Sequence, residues 1–223
     1  MAASMSGTTL ALGGAVFIVL LLFLRLVIIL RSLGRGKLSR GSNGTRLKVL
    51  VIAGSGGHTT EILRLLGSLS DAYSPRVYVL ADTDKMSEEK IRTFEAGREK
   101  DGRNSEFSLE RIPRSREVRQ SYITSVASTL YAALYSFPLV FRHSPDLILC
   151  NGPGTCIPIC AAGFSMRLLG LKAVQQVYVE SMCRVQTVSL SGQIMYYFAD
   201  HLIVQWQSLK EKYPKAVYLG RVV

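Results

Sequence analysis

The chain contains 223 residues, of which 48% are hydrophobic, and its 27 basic residues against 16 acidic residues give a net charge of +11. The mean hydropathy is +0.22. So high an apolar content excludes a disordered chain, and with only 19% charged residues it indicates that at least one segment contacts lipid. The length accommodates about one domain and an appended segment.

An apolar run of 21 residues, Leu10 to Leu30, is interrupted only by Arg25. About 20 apolar residues at roughly 1.5 Å each cross the hydrocarbon core of a bilayer, and Arg25 lies close enough to one end to reach the lipid head groups. A cleaved signal peptide is the alternative, but its basic residues would precede the apolar run, whereas here they follow it. The run therefore predicts one transmembrane anchor at residues 10–30.

Basic residues also orient this anchor. None precedes Arg25, and residues 1–48 contain seven basic residues and no acidic one. The positive-inside rule then places residues 1–9 outside or in a lumen and the rest of the chain in the cytosol. Residues 31–46 are rich in Gly, Ser and basic residues, which predicts a cytosolic tether near anionic lipid. A glycosylation sequon at Asn43 would face the cytosol and stay unmodified.

The remaining 175 residues carry a net charge of only +4. A nucleic-acid-binding domain would need a basic stripe on this folded part. We therefore expect no nucleic-acid partner.

Short β-branched runs alternate with helical patterns after residue 46. This predicts one α/β domain over residues 47–223, a Rossmann-like parallel sheet with helices on both faces. The predicted strands are Leu47–Ala53, Arg76–Asp82, Asp146–Asn151, Ala173–Glu180, His201–Trp206 and Ala216–Leu219. The predicted helices cover about 59–69, 85–97, 117–141, 155–169 and 190–199.

The loop after the first strand, Gly54-Ser55-Gly56-Gly57-His58-Thr59, opens a helix. Glycines let an anion approach the free backbone N–H groups of a helix N-terminus, so the loop predicts a phosphate or diphosphate site. A tight turn with Thr59 or Thr60 as the helix cap is the alternative.

The same loop is not a complete dinucleotide fingerprint. Thr59 stands where G-x-G-x-x-G needs its last glycine, although Asp82 ends the second strand where a ribose-binding acid would lie. A membrane-tethered NAD(P)-binding protein therefore remains an alternative function.

The segment Gln120–Phe141 has no charged residue and could be a second membrane span. Ser and Thr residues recur on one side at helical spacing, and apolar residues recur on the other. The apolar positions are Ile123, Val126, Ala127, Leu130, Tyr131 and Leu134. This pattern predicts an amphipathic helix, interrupted at Pro138, whose apolar side belongs to the domain core.

A cluster of basic residues precedes this helix and favours contact with lipid head groups. It consists of Arg111, Arg114, Arg116 and Arg119. A solvated loop is the alternative.

The four cysteines form no C-x-x-C pair and no zinc spacing, and the three histidines are scattered. They are Cys150, Cys156, Cys160 and Cys183. We expect buried cytosolic thiols.

Several strings in this chain carry a family resemblance. Gly-Ser-Gly-Gly-His at 54–58 resembles the G-x-G-G-H loop of the GT-B glycosyltransferase that makes lipid II in bacterial peptidoglycan synthesis. As a set, the longer strings resemble the membrane-anchoring subunits of the endoplasmic-reticulum UDP-N-acetylglucosamine transferase of asparagine-linked glycosylation. They are VIAGSGGHTTEILRLLGSLS, RIPRSREV, LCNGPGTC, VYVES, LSG, IVQW, LKEKYP and VYLGR.

The resemblance implies the N-terminal, acceptor-binding half of a GT-B enzyme. Residues 47–223 suffice for one half only, so the expected partner is a separate cytosolic subunit that binds UDP-N-acetylglucosamine. The implied reaction adds N-acetylglucosamine to N-acetylglucosaminyl-diphospho-dolichol at the cytosolic face of the endoplasmic reticulum membrane. Activity is not expected from this chain alone, and a pure scaffold with a vestigial loop is the further alternative.

The resemblance also assigns roles to residues of this chain. The Gly54–Thr59 loop would hold the acceptor diphosphate. As the base that takes the acceptor proton we nominate His58 first, because imidazole exchanges protons near neutral pH. Glu180 is second, because it ends a strand at the carboxyl edge of the sheet. Alternatively, His58 only orients the loop or the phosphate, and Glu180 only caps a turn.

Two further groups are candidates. A second cleft loop, or a simple turn, is formed by Asn151, Gly152, Gly154 and Thr155. By the resemblance, the C-terminal end holds the donor subunit, although a frayed terminus is the alternative. The candidate residues there are Tyr218, Leu219, Val222 and Val223.

Asp82-Thr83-Asp84 spells the D-x-D pair with which some glycosyltransferases hold a divalent metal. GT-B members generally lack that dependence. We therefore interpret these residues as a strand end and a turn, and we expect no metal and no cofactor.

Overall fold

The computed structural model describes residues 2–33, 46–115, 120–152 and 154–223. The strands are β1 Val49–Ile52, β2 Arg76–Ala81, β3 Phe107–Ile112, β4 Leu147–Asn151, β5 Gln175–Val179, β6 His201–Val204 and β7 Val217–Tyr218. The helices are α1 Ala2–Ser32, α2 Gly57–Gly67, α3 Lys85–Lys100, α4 Tyr122–His143, α5 Cys156–Leu169, α6 Leu190–Phe198 and α7 Gln207–Lys212.

The strands form one sheet in the order β3-β2-β1-β4-β5-β6-β7, and neighbouring strands are parallel throughout. All residues of β1, β2 and β4 are buried, as expected for parallel strands whose faces are both covered by helices. The predicted Rossmann-like parallel sheet is thus confirmed.

Two elements are missing from the prediction. The edge strand β3 has the sequence FSLERI and is only partly buried, so it lacks the continuous apolar run of the central strands. The helix α7 has six residues, too few for a helical period to be recognised.

Helices cover the two faces of the sheet separately. Leu139 of α4, Ile159 of α5 and Met195 of α6 belong to the core on one face. Ile62 of α2 and Ile91 of α3 belong to the core on the other face. Both layers rest on the same buried strands, which therefore hold the loops at their carboxyl ends in fixed positions.

Helix α1 is an apolar N-terminal helix, as predicted, and its segment Ala11–Ser32 is long and apolar enough to cross a membrane. Its last turns pack on α5: Arg25 Nε donates to the carbonyl of Arg167 at 3.1 Å, and Ile29 is buried. The end of α1 is therefore tied to the domain. Residues 34–45, which include most of the predicted tether and the sequon at Asn43, lie outside the described residues.

Helix α4 differs from the prediction at Pro138. The helix continues through this proline to His143, so the predicted interruption is wrong. Proline removes one backbone donor, whereas Ser136, Leu139 and Val140 on either side are buried against the domain. Packing of these neighbours outweighs the missing hydrogen bond.

The orientation of α4 is also opposite to the prediction. Ile123, Val126, Leu130 and Leu134 are between 61% and 86% exposed, so the expectation that this apolar side belongs to the core is wrong. The hydroxyl side turns inward, where Ser128 and Thr129 donate to the carbonyl of Ser115 at 2.7 and 3.2 Å. Hydroxyls that donate to carbonyls are buried at little cost.

The apolar length of α4, Ile123–His143, would also suffice to cross a membrane. The strands before and after it, β3 and β4, nevertheless belong to one parallel sheet. Helix α4 therefore lies along the sheet and does not cross a bilayer.

The described arginines of the basic cluster are engaged within the protein. Arg111 forms an ion pair with Glu88, and Arg114 Nε donates to Thr83 Oγ1 at 2.9 Å. The other two, Arg116 and Arg119, lie outside the described residues.

Candidate functional site

A cavity of about 480 Å³ opens at the carboxyl edge of the sheet. It lies between the loops that follow β1, β4 and β5. The strand order reverses between β1 and β4, and open α/β sheets bind their ligands at such a switch point. Its lining includes Gly57, His58, Glu61, Gly152, Glu180, Ser181, Cys183, Arg184 and Ser189.

The glycine loop forms one wall of this cavity. Helix α2 begins at Gly57, and the preceding Gly56 has a φ of 68° and supplies no side-chain cap. A Cβ at either glycine would meet no heavy atom within 4 Å. Open space therefore lies beside the start of α2, where the first N–H groups of a helix have no intrahelical acceptor and the helix dipole is positive, as in an anion site.

Thr59 stabilises the loop from beneath. It is fully buried; its hydroxyl donates to the carbonyl of Gly54 and forms a hydrogen bond with Ser87 Oγ at 2.7 Å. Thr59 can therefore offer an anion only its backbone N–H. Its side chain fills the space that a dinucleotide fingerprint leaves to its last glycine.

Lys90 of α3 places a positive charge beside the glycine loop, and the sequence analysis did not single out this residue. Its Nζ lies 3.2 Å from Thr60 Oγ1 and 3.5 Å from the carbonyl of Gly56. Nothing in the sequence indicates this contact, because Lys90 belongs to a helix 30 residues further along the chain.

His58 lies at the mouth of the cavity, with 34% of its side chain exposed. Its Nδ1 is 2.8 Å from Asn151 Oδ1. Gly152 has a φ of 70°, and a Cβ there would lie 2.5 Å from Cε1 of His58. The structure thus brings the two predicted loops together, and the loop after β4 holds the imidazole.

The other candidates of this second loop are further from the ring. Thr155 precedes α5 without a side-chain cap bond, and the carbonyl of Gly154 accepts from Ile157 at 3.1 Å. Both take part in the turn that starts α5.

Glu61, which the sequence reasoning did not single out, lies one turn after His58. Its Oε2 is 3.7 Å from His58 Nδ1, and its Oε1 accepts from Ser181 Oγ at 2.9 Å. The spacing of His58 and Glu61 on one helix face was the available signal.

Glu180 is fully buried. Its Oε2 accepts from the backbone N–H of Ser189 at 2.8 Å and from Ser189 Oγ at 3.0 Å. Burial raises the pKa of Glu180 above its ordinary value, and these hydrogen bonds offset only part of the effect. Glu180 therefore holds the N-terminus of α6, and the geometry favours the more exposed His58 as the group that meets a substrate.

The cysteines are free, and three of them, Cys150, Cys156 and Cys160, are buried as expected. Burial raises the pKa of Cys156, so this thiol is protonated and unreactive. Cys183 is exposed, which contradicts the expectation of a buried thiol, because it lies in the loop between β5 and α6 at the cavity.

Asp84 of the D-x-D pair caps α3, since its Oδ1 accepts from the backbone N–H of Ser87 at 3.1 Å. Within the described ranges, no group of three His, Cys, Asp or Glu side chains is arranged to hold a metal ion.

The candidate C-terminal residues divide into two pairs. Tyr218 and Leu219 are 39% and 63% exposed. Val222 and Val223 are partly buried against the core cluster that includes Val179 of β5 and Ile203 of β6, and the N–H of Val222 donates to Gln205 Oε1 at 3.0 Å. The first pair is the one open to another chain.

Comparisons with known proteins point to one family. The model of a family described as oligosaccharide biosynthesis protein Alg14 like matches residues 49–222. The human UDP-N-acetylglucosamine transferase subunit ALG14 is 55% identical over 216 residues, 96% of this chain and 96% of that protein. The Yarrowia lipolytica subunit of the same name is 41% identical over 217 residues, 97% and 99% of the two chains.

Among solved structures, MurG of Acinetobacter baumannii matches with a TM-score of 0.52 and 15% sequence identity. The match covers 72% of this chain and 42% of the MurG chain. This likeness shows the fold, and it confirms the predicted relation to one half of a GT-B architecture.

Proposed function

The chain belongs to the Alg14 family of oligosaccharide biosynthesis proteins, and on this premise we propose that it is the membrane-anchored, acceptor-binding subunit of a UDP-N-acetylglucosamine transferase. The relatives that it matches almost end to end are named as subunits of such an enzyme. The complete enzyme adds the second N-acetylglucosamine to N-acetylglucosaminyl-diphospho-dolichol at the cytosolic face of the endoplasmic reticulum.

The observation that carries this proposal is a half-built cleft. One wall has an open helix N-terminus for an anion and a partly exposed His58 beside it. The match to MurG extends over less than half of that chain. A second, cytosolic chain supplies the wall that binds UDP-N-acetylglucosamine.

The acceptor diphosphate then binds at the Gly54–Thr59 loop. The first N–H groups of α2 donate to its oxygens, and Lys90 adds a positive charge from α3. This fixes the sugar of the acceptor within reach of His58. In an inverting transfer His58 takes the proton of the attacking hydroxyl.

Two helices hold the domain at the membrane in this proposal. Residues 10–30 of α1 cross the bilayer with residues 1–9 in the lumen, and the exposed apolar side of α4 lies against the lipid surface. Both helices pack on α5, so they lie on the same side of the sheet. A row of exposed apolar side chains along one helix is costly in water and is typical of a membrane or protein contact.

The donor subunit docks beside β7. Tyr218 and Leu219 present apolar surface there, and Arg221 lies 4.5 Å from the ring centroid of Trp206, which stiffens the terminal segment. The arrangement leaves the carboxyl edge of the sheet free to form the shared cleft.

The test is sugar transfer by the purified chain with and without candidate cytosolic partners, using a short-chain diphospho-lipid acceptor. We expect transfer only when both chains are present. His58→Gln should lower kcat by roughly 10²- to 10⁴-fold, the usual contribution of a general base, while the complex still forms. His143→Gln is the matched control, because His143 pairs with Glu110, outside the cavity.

Other outcomes would overturn parts of the proposal. Full activity from this chain alone would exclude a split enzyme. Full activity of the His58→Gln complex would indicate a scaffold with a vestigial loop. A co-purifying nicotinamide cofactor without any donor subunit would support the dinucleotide-binding alternative.

A further inference from the structure

Glu61 is placed to control which nitrogen of His58 carries the proton. We infer that Glu61 is a positioning residue that keeps the N–H of His58 on Nδ1 and leaves Nε2 free to accept the proton of the acceptor hydroxyl. This inference rests on the proposed role of His58 as the base.

The Glu61 carboxylate is buried beside the His58 ring. Only 8% of the residue is exposed, and Ser181 Oγ holds its Oε1 at 2.9 Å. Its Oε2 is buried and has no hydrogen-bond partner among the described residues. A buried carboxylate oxygen without a donor is costly, so its position 3.7 Å from His58 Nδ1 needs an explanation beyond packing.

Two side-chain oxygens lie near Nδ1 of His58, one from Asn151 and one from Glu61. Asn151 Oδ1 lies 2.8 Å from Nδ1 of His58 and can only accept a hydrogen bond, so Nδ1 must carry a proton. If the Asn151 amide were turned over, its NH₂ group would face Nδ1 and would require an unprotonated nitrogen there. The orientation of an Asn amide is not decided by shape alone. The Glu61 oxygen decides it, because a negative charge beside Nδ1 attracts an N–H and repels a lone pair.

The ring cannot escape this arrangement by rotating toward the loop after β4. Gly152 packs so closely that any Cβ would overlap Cε1 of His58. The imidazole is therefore held between the loop after β4 and the Glu61 carboxylate. Arg184 lies in the loop after β5 and Lys90 in α3, and neither makes an ion pair with Glu61 among the described residues.

In the transfer step the acceptor oxygen forms a bond to the anomeric carbon of the donor sugar, and its proton passes to Nε2. The electron pair of the broken bond between that carbon and the diphosphate leaves with UDP. His58 becomes an imidazolium whose Nδ1–H faces Glu61. The carboxylate thus stabilises a charge that exists only once the proton has moved, so its loss should affect kcat and spare KM.

The experiment uses the full chain in complex with its donor subunit. We expect Glu61→Gln to lower kcat by roughly 10- to 100-fold, less than the whole contribution of a general base, with KM for both substrates within about twofold. Glu89→Gln is the matched control, an exposed carboxylate on α3 outside the cleft. Its kinetics should equal those of the wild type.

The readout that a merely structural role would not change is the tautomer. The chain has three histidines, so ¹⁵N-histidine NMR of the complex can be assigned with His58→Gln. We expect His58 to carry its proton on Nδ1 in the wild type and to shift toward Nε2–H in Glu61→Gln. Ser181→Ala, which frees the carboxylate, should cause a smaller shift in the same direction.

The outcomes separate this inference from the function on which it rests. If His58→Gln abolishes transfer while Glu61→Gln changes neither kcat nor the tautomer of His58, the inference about Glu61 is wrong and the proposed role of His58 as the base is kept. If His58→Gln retains full kcat, the proposed base itself is wrong. If Glu61→Gln does not fold, unchanged kcat and tautomer in Ser181→Ala overturn the inference.

Discussion

Gly152→Ala separates the positioning of His58 from the stability of the fold. The new Cβ would lie 2.5 Å from Cε1 and 2.8 Å from Nδ1 of His58, whereas carbon contacts are comfortable only from about 3.5 Å. The ring must therefore move by about 1 Å, which breaks its 2.8 Å contact with Asn151. A displacement of that size costs on the order of 10²-fold in rate, or roughly 2.7 kcal/mol of barrier.

Gly102→Ala supplies the control. Gly102 has a φ of 69° against 70° for Gly152, but a Cβ there meets no heavy atom within 4 Å. Both variants should lose about 1–2 kcal/mol of folding stability from the left-handed backbone. Thermal unfolding of the full chain in detergent measures this loss, and sugar transfer by the complex measures kcat. Equal kcat in the two variants would refute the reasoning, since strain alone would then explain both.

Two further predictions concern the buried acid and the outer helix. Burial raises the pKa of Glu180, so the protonated side chain contributes stability below the ordinary carboxyl pKa, and this stability is lost as pH rises through the raised value. The Tm of Glu180→Gln relative to that of the wild type should therefore increase from about pH 4 to neutral pH. A Tm difference that does not change with pH would contradict this. In nanodiscs that carry the full chain, brominated lipids should quench the tryptophan fluorescence of Leu130→Trp on α4. They should not quench that of Met86→Trp, a similarly exposed apolar position on α3. Trp206 gives the same background in both variants, and equal quenching would exclude a lipid contact through α4.

Local pattern was sufficient for most of the sheet. The buried strands β1, β2 and β4 are apolar apart from Arg76 at the start of β2 and Asn151 at the end of β4, because a parallel strand covered on both faces has no polar side. The edge strand β3 carries charged residues and was missed. The glycine loop was predictable for the same local reason, since strand, glycines and helix are consecutive in the chain.

Helix α4 marks the limit of such patterns. The separation of hydroxyl and apolar positions was visible in the sequence, but not which side faces inward. Ser128 and Thr129 turn toward the domain because the carbonyl of Ser115 lies there to accept their hydrogen bonds. The fold places this carbonyl next to α4, and its hydrogen bonds orient the hydroxyl side of the helix inward even though the other side is more hydrophobic.

The amino-acid sequence by itself determined the class of fold, the apolar N-terminal helix and the glycine loop that carries His58, because each depends on residues adjacent in the chain. The tertiary structure decided how His58 is held. Asn151, Gly152 and Ser181 lie more than 90 residues from the glycine loop in sequence, and only the parallel pairing of β1 with β4 and of β4 with β5 brings them to its side. Glu61 is near His58 in the chain, but the position of its carboxylate beside the ring depends on the hydrogen bond from Ser181. This contact joins segments that are distant in the chain, so neither segment shows it as a periodic pattern.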